Sequence, residues 1–457
     1  MIKRFIDHFY FNGSKIVSDE FIIKAKGDNL KAFTRKRKFF VDDIAKYIIG
    51  SKKERNQKLK NINFNTIRNN NMNITNQGMS LQRLKFNPEA IKYLCDEWVK
   101  SIYSDHDYER VRRIKGYYVF AIDGTDIILP NSEEGFKHYG GNTSTKGIKS
   151  TIASASCIYD VVNRVIVDAN INPYKTPELK SAYKNIKNLE ELIPFENKIC
   201  IFDRGYVAAN FIVDLYNLNH KFIFRLPLNV FKHEVAAMAT NDELVTIEMT
   251  KERLNGIRNE PYYEQMLSVD HIVVRVAKIK LDSGVEEILL TNLEYDEFST
   301  EELKELYRLR WEIETVYNSL KHKIEIEKFS GYKPLIIEQD FYASIYLWNM
   351  IQDMILDERG DLEDDEKYHI HEMKISDSMA IELVRNKLLE IFYSKNTKKN
   401  EFKTLVEEII KHVEPVRPNR SFPRNITKAD KSSKQYKEQT KRTQRRNRLK
   451  KKMLRNK

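Results

Sequence analysis

Between Tyr117 and Leu226 the sequence sets short apolar runs in an order that few folds accept. YYVFAID (Tyr117 to Asp123), STIASASCIYD (Ser150 to Asp160) and RVIVDANI (Arg164 to Ile171) read as strands, the last two joined by a short polar turn. Pro177 to Leu192 has a helical pattern, and NKICIFD (Asn197 to Asp203) is another buried strand. A helix to Leu218 then precedes the strand KFIFRL (Lys221 to Leu226). Three strands in hairpin-like succession, then helix–strand–helix–strand, predict a mixed α/β sheet covered by helices.

The flanks have a different texture. Residues 1 to about 85 read as helical and basic, with FTRKRKFFVDDIAKYII (Phe33 to Ile49) placing a basic cluster before an amphipathic stretch. Asn61 to Gln77 is asparagine-rich and is expected to be a loop, and a helix is expected around Pro88 to Ile102. From Leu228 to Leu293 alternating runs such as LVTIEMT, HIVVRVAKIKL and EEILLTNL predict an all-β insertion. Ser299-Thr300-Glu301-Glu302 then has the pattern of a helix cap and first turn. The expected units are a helical, basic region at 1–115 with DNA binding as its candidate role, a core at 116–227 and 294–350 interrupted by the β-rich segment 228–293, a helical region at 351–413, and a basic, disordered tail at 414–457.

Composition excludes several classes. No run reaches the ~18 apolar residues of a membrane span, and the start, MIKRFIDHFYFNG, lacks a secretory apolar region. Cys95, Cys157 and Cys200 have no metal or redox spacing and suit a reducing cytosol. His369 and His371 near Asp364 and Asp365 are either weak metal candidates or an ordinary polar loop. The net charge of +12 is uneven, because Arg417 to Lys457 carry about fifteen net positive charges. Such a tail suits a polyanion, with a solubilising role as the alternative.

YRLRWEIETVYNSLK (Tyr307 to Lys321) reads as a single helix. At 100° per residue from Tyr307, Arg310, Glu314 and Lys321 fall within about 300–340°, sharing one stripe, while Leu309, Ile313, Val316 and Leu320 form the core-facing stripe. Glu312 lies near 140°, away from both cations, and reads as a surface residue. Taken alone, Arg310 and Glu314 are an ordinary i,i+4 pair. Two further carboxylates change that reading: Asp123 ends a buried strand on an Asp-Gly turn in AIDGTD, and Asp203 ends another in CIFDRGY. Asp126 is the rival to Asp123. Three carboxylates without His or Cys suit Mg²⁺, and two ions about 4 Å apart would serve in-line phosphoryl transfer. Arg310 and Lys321 are the candidates to hold phosphates.

These residues together resemble the DDE transposases of bacterial insertion sequences, specifically the insertion-sequence-four family. Tyr307, Arg310, Glu314 and Lys321 match its Y-(2)-R-(3)-E-(6)-K signature, Asp123-Gly124-Thr125 its first strand end, and Asp203-Arg204-Gly205-Tyr206 its second. The resemblance covers about Tyr117 to Met350. It implies an RNase H-like core with Asp123, Asp203 and Glu314 as catalytic and metal-binding residues for two Mg²⁺ ions, with Mn²⁺ able to substitute. It implies cut-and-paste transposition through a hairpin intermediate, acting on element ends and target DNA as a homodimer, in a cytoplasmic, nucleoid-associated setting. Tyr307 is expected to contact a phosphate near a flipped base, and Arg204 and Tyr206 to support the triad. Trp311 flanks the reactive stripe, either packed on a neighbour or touching DNA. Relatives stack an insertion-domain Trp on the flipped base, whereas here Trp98, Trp311 and Trp348 all lie outside the insertion. Tyr262, Tyr263 or Phe231 are the candidate substitutes. The alternatives are an RNase H-like nuclease without strand transfer and a non-catalytic DNA-binding inhibitor of transposition.

Overall fold

The computed structural model describes residues 3–34, 40–51, 57–68, 73–104, 110–145, 147–194, 197–280, 284, 286–356, 373–394 and 398–415. The basic tail from residue 416, the acidic loop with His369 and His371, and the basic residues 35–38 lie outside them.

Among the described residues six helices come first: α1 (Lys3–Lys15), α2 (Asp19–Lys26), α3 (Val41–Gly50), α4 (Gln57–Arg68), α5 (Asn76–Arg83) and α6 (Glu89–Ser104). The asparagine-rich stretch is therefore not simply a loop, since α4 runs through its first half. The asparagines are used as fixed partners: Asn61 and Asn65 both donate to the Ile74 carbonyl, at 2.6 and 2.8 Å, and the Ile74 N–H returns a bond to Asn65. Those side-chain bonds tie Ile74, just ahead of α5, to α4 where composition alone suggests looseness.

The sheet begins with β1 (Tyr118–Ile128), α7 (Glu133–Tyr139), β2 (Gly141–Thr143), β3 (Lys149–Asp160) and β4 (Val165–Pro173). It continues with α8 (Glu178–Leu192), β5 (Lys198–Phe202), α9 (Ala209–Asn217) and β6 (Lys221–Arg225). Strand β1 is antiparallel to β3 and parallel to β5, β5 is parallel to β6, and β4 and β2 pair with the far side of β3. Asp123-Gly124 is not a turn. Strand β1 runs on to Ile128 because β3 stays paired with it, while the pairing to β5 stops at Ile122 and Phe202.

Residues 228–293 extend this sheet rather than forming a separate all-β unit. Helix α10 (Lys232–Ala237), β7 (Asp242–Glu248), α11 (Tyr263–Leu267), β8 (His271–Lys280) and β9 (Glu286–Thr291) follow in order, and β9 pairs with β6. The full path is β2-β3-β1-β5-β6-β9-β8-β7, with β4 also on β3. Two helices and shared sheet edges were hidden because alternation shows a half-buried strand but not its neighbour.

The chain then enters α12 (Thr300–Arg308), α13 (Trp311–His322) and α14 (Pro334–Met354). A capping box of Ser299 and Glu302 starts α12 as its sequence predicts. The expected single helix is two, because the ladder tightens at Leu309 and Arg310, whose N–H groups bond back three residues, to Leu306 and Tyr307. Buried Arg275 of β8 fixes where α12 starts. It forks onto Asp242 at 2.8 and 2.7 Å and donates to the Phe298 carbonyl at 2.7 Å, while Asp242 also accepts from Thr300. Helices Asp377–Tyr393 and Lys398–Ile409 and a ribbon of Met373–Ile375 with Val413–Pro415 complete the described chain.

The N-terminal helices share one core with the sheet and α14. Asp353 of α14 takes bonds from His8, Trp98 and Arg110, and Arg83 reaches Gln339, Asp340 and Ser330. All three cysteines are buried and unbridged. Among the described residues no helix is long and apolar enough to cross a membrane.

Candidate active site

Parallel pairing of β1 with β5 ends at Ile122 opposite Phe202, so Asp123 and Asp203 follow side by side at the carboxyl edge of the two strands. That edge is where open α/β sheets bind ligands. Strand β1 continues past it, and the Asp123 carboxylate accepts from the Gly124 N–H at 2.8 Å. Asp203 instead leads into a 3-10 turn, Arg204–Tyr206.

Helix α13 docks across this edge through buried Ile313, Val316, Tyr317 and Leu320. Its charged residues are thereby turned toward the aspartates. Arg310 donates to Glu314 at 3.2 Å and stands 3.7 Å from Asp123, so one guanidinium spans two carboxylates. Tyr307 places its hydroxyl 3.4 Å from Asp203, and Lys321 donates to the Thr125 hydroxyl and the Asp126 carbonyl at 2.8 and 2.7 Å. The structure thus brings Asp123, Asp203, Tyr307, Arg310, Glu314 and Lys321 to one place. Glu314, not Glu312, pairs with Arg310; Glu312 is partly rather than fully exposed.

The cations differ from the expected open, phosphate-facing arrangement. Arg310 is only 7% exposed and faces the carboxylates, with the Tyr307 and Trp311 rings 5.9 and 5.7 Å from its guanidinium carbon. Trp311 is half exposed. Arg204 is exposed, and Tyr206 is buried, its hydroxyl lacking a hydrogen-bond partner among the described residues. Asp126 is exposed, and its side chain alternates to the other side of β1 from Asp123. Of the stacking candidates, Phe231 is buried with Arg253 over its ring, and Tyr262 and Tyr263 are partly exposed. Trp98 and Trp348 are wholly buried.

The site is electrostatically crowded. The Asp123 carboxyl is raised to about 6: burial pushes it up, the Gly124 N–H and Arg310 hold it down, and Glu178 and Asp203 add to the rise. Glu178 is raised by partial burial and then by the charges of Asp203 and Asp126. Carboxylates that raise one another are a donor set short of positive charge, and all-oxygen donors suit a hard divalent cation. Among the described residues no three His, Cys, Asp or Glu side chains gather tightly enough to hold one ion. Asp123 and Asp203, abreast where the β1–β5 pairing ends, are oxygen donors of the kind such an ion takes alongside water.

Two residues escaped sequence reasoning. Tyr317 donates to the Asp123 backbone carbonyl at 2.7 Å and ties α13 to β1. Its place at about 280° on the wheel, next to the reactive stripe, was the available signal. Glu178, in the first turn of α8, reads in sequence as an ordinary acidic helix start. No spacing singles it out.

A mixed sheet with two aspartates abreast where the β1–β5 pairing ends, and a glutamate on a helix packed across that edge, defines an α/β domain with acidic residues gathered at one sheet edge. The transposase DDE domain family matches residues 114–350, just over half of the chain, and the chain belongs to that family. Similar curated proteins include the InsL protein for insertion sequence element IS186A of Escherichia coli strain K12 and the transposase for insertion sequence element IS421 of Escherichia coli. Each is 31% identical over 75 residues, 16% of this chain and 20% of that protein, so the matched stretch is a fifth of those relatives' length. A cryo-EM structure of the piggyBac transposase synaptic complex with hairpin DNA aligns over 93% of this chain and 88% of that one, at 8% identity and a TM-score of 0.44. A likeness of that degree carries no weight for this chain.

Proposed function

We propose that this chain is a DNA transposase of the insertion-sequence-four type, moving its element by end cleavage, a hairpin intermediate and strand transfer. The observation that carries this reading is the convergence of Asp123, Asp203 and Glu314 through Arg310, Tyr307 and α13. The strand order β4-β3-β1-β5-β6, antiparallel in its first three members and parallel in the rest, supports an RNase H-like core.

Asp123, Asp203 and Glu314 would hold two divalent cations, Mg²⁺ or Mn²⁺, which supply activation of the attacking oxygen and stabilisation of the leaving one. The chain's own residues set the stage around them. Arg310 balances the carboxylates here, and its planar fork suits a bidentate grip on a DNA phosphate. Lys321 fixes the Thr125–Asp126 backbone and presents a point charge beside it. Tyr307 offers a phenolic donor next to Asp203. The partners in this reading are the element's two ends and the target DNA, held by a homodimer.

Pre-cut element ends supplied with target DNA should give joined products. Nicking without joining would reduce the protein to a nuclease of the same fold. Truncation after Val416 should weaken DNA binding and flatten its salt dependence, by about 0.9 in log–log slope for each DNA phosphate that the tail neutralises. A slope unchanged between 50 and 200 mM salt, roughly the range over which phosphate neutralisation shows, would leave the tail as a solubility device.

A further inference from the structure

The glycines that follow closely on Asp123 and Asp203 share an unexpected neighbour. Neither Gly124 nor Gly205 has a positive φ, so neither is needed for its backbone conformation. What both supply is room. A Cβ at Gly205 would lie 2.6 Å from a carboxylate oxygen of Glu178, and one at Gly124 would lie 3.9 Å from the Glu178 Cγ and 3.8 Å from the Tyr206 hydroxyl. The absent side chains leave a notch beside Gly124 of β1 and the turn that follows Asp203, and Glu178 reaches into it from α8.

A second observation points to an occupant. Tyr206 is 1% exposed, and its buried hydroxyl has no hydrogen-bond partner among the described residues. Its ionisation is opposed by burial and then by Asp123, Glu178 and Asp203, which places that hydroxyl among the same carboxylates. A buried O–H without a partner is costly, and in a polar notch an ordered water is the ordinary remedy.

We propose that Glu178 is a fourth carboxylate of the active site, a positioning residue that acts on the divalent cation between Asp123 and Asp203 through a water also held by the Tyr206 hydroxyl. The proposal rests on the triad reading above. It explains why Gly205 follows Arg204 without a conformational need for glycine. Outer partners of this kind change metal affinity by about 10–100-fold.

The test is Mn²⁺ binding to the full chain, followed by electron paramagnetic resonance of free Mn²⁺, with melting temperature recorded for each variant. Glu178→Gln should weaken binding about tenfold, with Glu178→Asp recovering part of it and Tyr206→Phe losing less. Gly205→Ala, which leaves every charge in place but displaces the Glu178 carboxylate, should repeat the Glu178→Gln loss. Asp123→Asn and Asp203→Asn should remove binding, and Glu312→Gln should leave it unchanged. If Glu178→Gln and Gly205→Ala bind Mn²⁺ like the parent while Asp123→Asn does not, Glu178 is no part of the site and the triad stands. If Asp123→Asn and Asp203→Asn also bind like the parent, the triad reading fails with it.

Discussion

Glu314→Ala should abolish divalent-dependent cleavage of DNA carrying the element's end, by ~10³-fold or more, while Glu312→Ala retains the parental rate. A loss of that size corresponds to about 4 kcal/mol of transition-state stabilisation, the scale on which metal-assisted charge stabilisation operates. The two glutamates are two residues apart on one helix, have the same chemistry and are both partly exposed. Only Glu314 shares Arg310 with Asp123, at 3.2 and 3.7 Å. The comparison therefore isolates position from composition. Because Glu314→Ala also removes one partner of a nearly buried arginine, its melting temperature must be read beside its rate. A folded Glu314→Ala protein that cleaves as fast as Glu312→Ala would remove Glu314 from the reaction.

The second large effect concerns stability. Asp353 is wholly buried at the end of α14 and accepts bonds from His8 at 2.9 Å, Trp98 at 3.1 Å and Arg110 at 2.6 Å. Those partners come from α1, from α6 and from the segment leading to β1. Asp353→Asn removes the carboxylate facing the buried Arg110 guanidinium, and breaking such a buried pair costs about 3–5 kcal/mol. That is a large share of the ~5–15 kcal/mol by which domains are stable. Urea denaturation at neutral pH should show the midpoint fall, and an unchanged midpoint would mean the N-terminal helices are not clamped through this residue.

The pH dependence has a definite sign. Burial pushes the Asp353 carboxyl up, but Arg110 and His8 outweigh it and hold the group below its ordinary value. A depressed folded pKa means the unfolded chain takes up the proton first. The stabilisation is therefore complete above the unfolded value of about 3.9 and is lost as pH falls below it, through the folded pKa. Asp353→Asn should accordingly flatten the stability profile on the acid side of about pH 4.

Much of the core was legible because its signals are local. Short apolar runs and helical periods predicted β3 through β6 nearly at their bounds, and the capping residues announced α12. What failed depended on partners far along the chain. Strand β1 outruns its apparent Asp-Gly stop because β3 remains beside it, and the asparagines of α4 are ordered by bonds to Ile74. The segment after Leu228 alternates like an independent β unit, yet its strands complete the same sheet through β9 and β6.

For the site, spacing alone put Tyr307, Arg310, Glu314 and Lys321 on one stripe and separated Glu314 from Glu312, because helical geometry is a property of neighbours in sequence. It also marked Asp123 and Asp203 as strand-end carboxylates. Tertiary structure decided everything that needs two distant segments at once: that those aspartates stand abreast on parallel strands, that Arg310 turns inward between Asp123 and Glu314, and that Tyr317 anchors the helix to Asp123. It alone brought Glu178 into the notch left by Gly124 and Gly205. A glutamate in a helix's first turn carries no mark of what lies across from it, since its neighbour in space is set by packing and not by period.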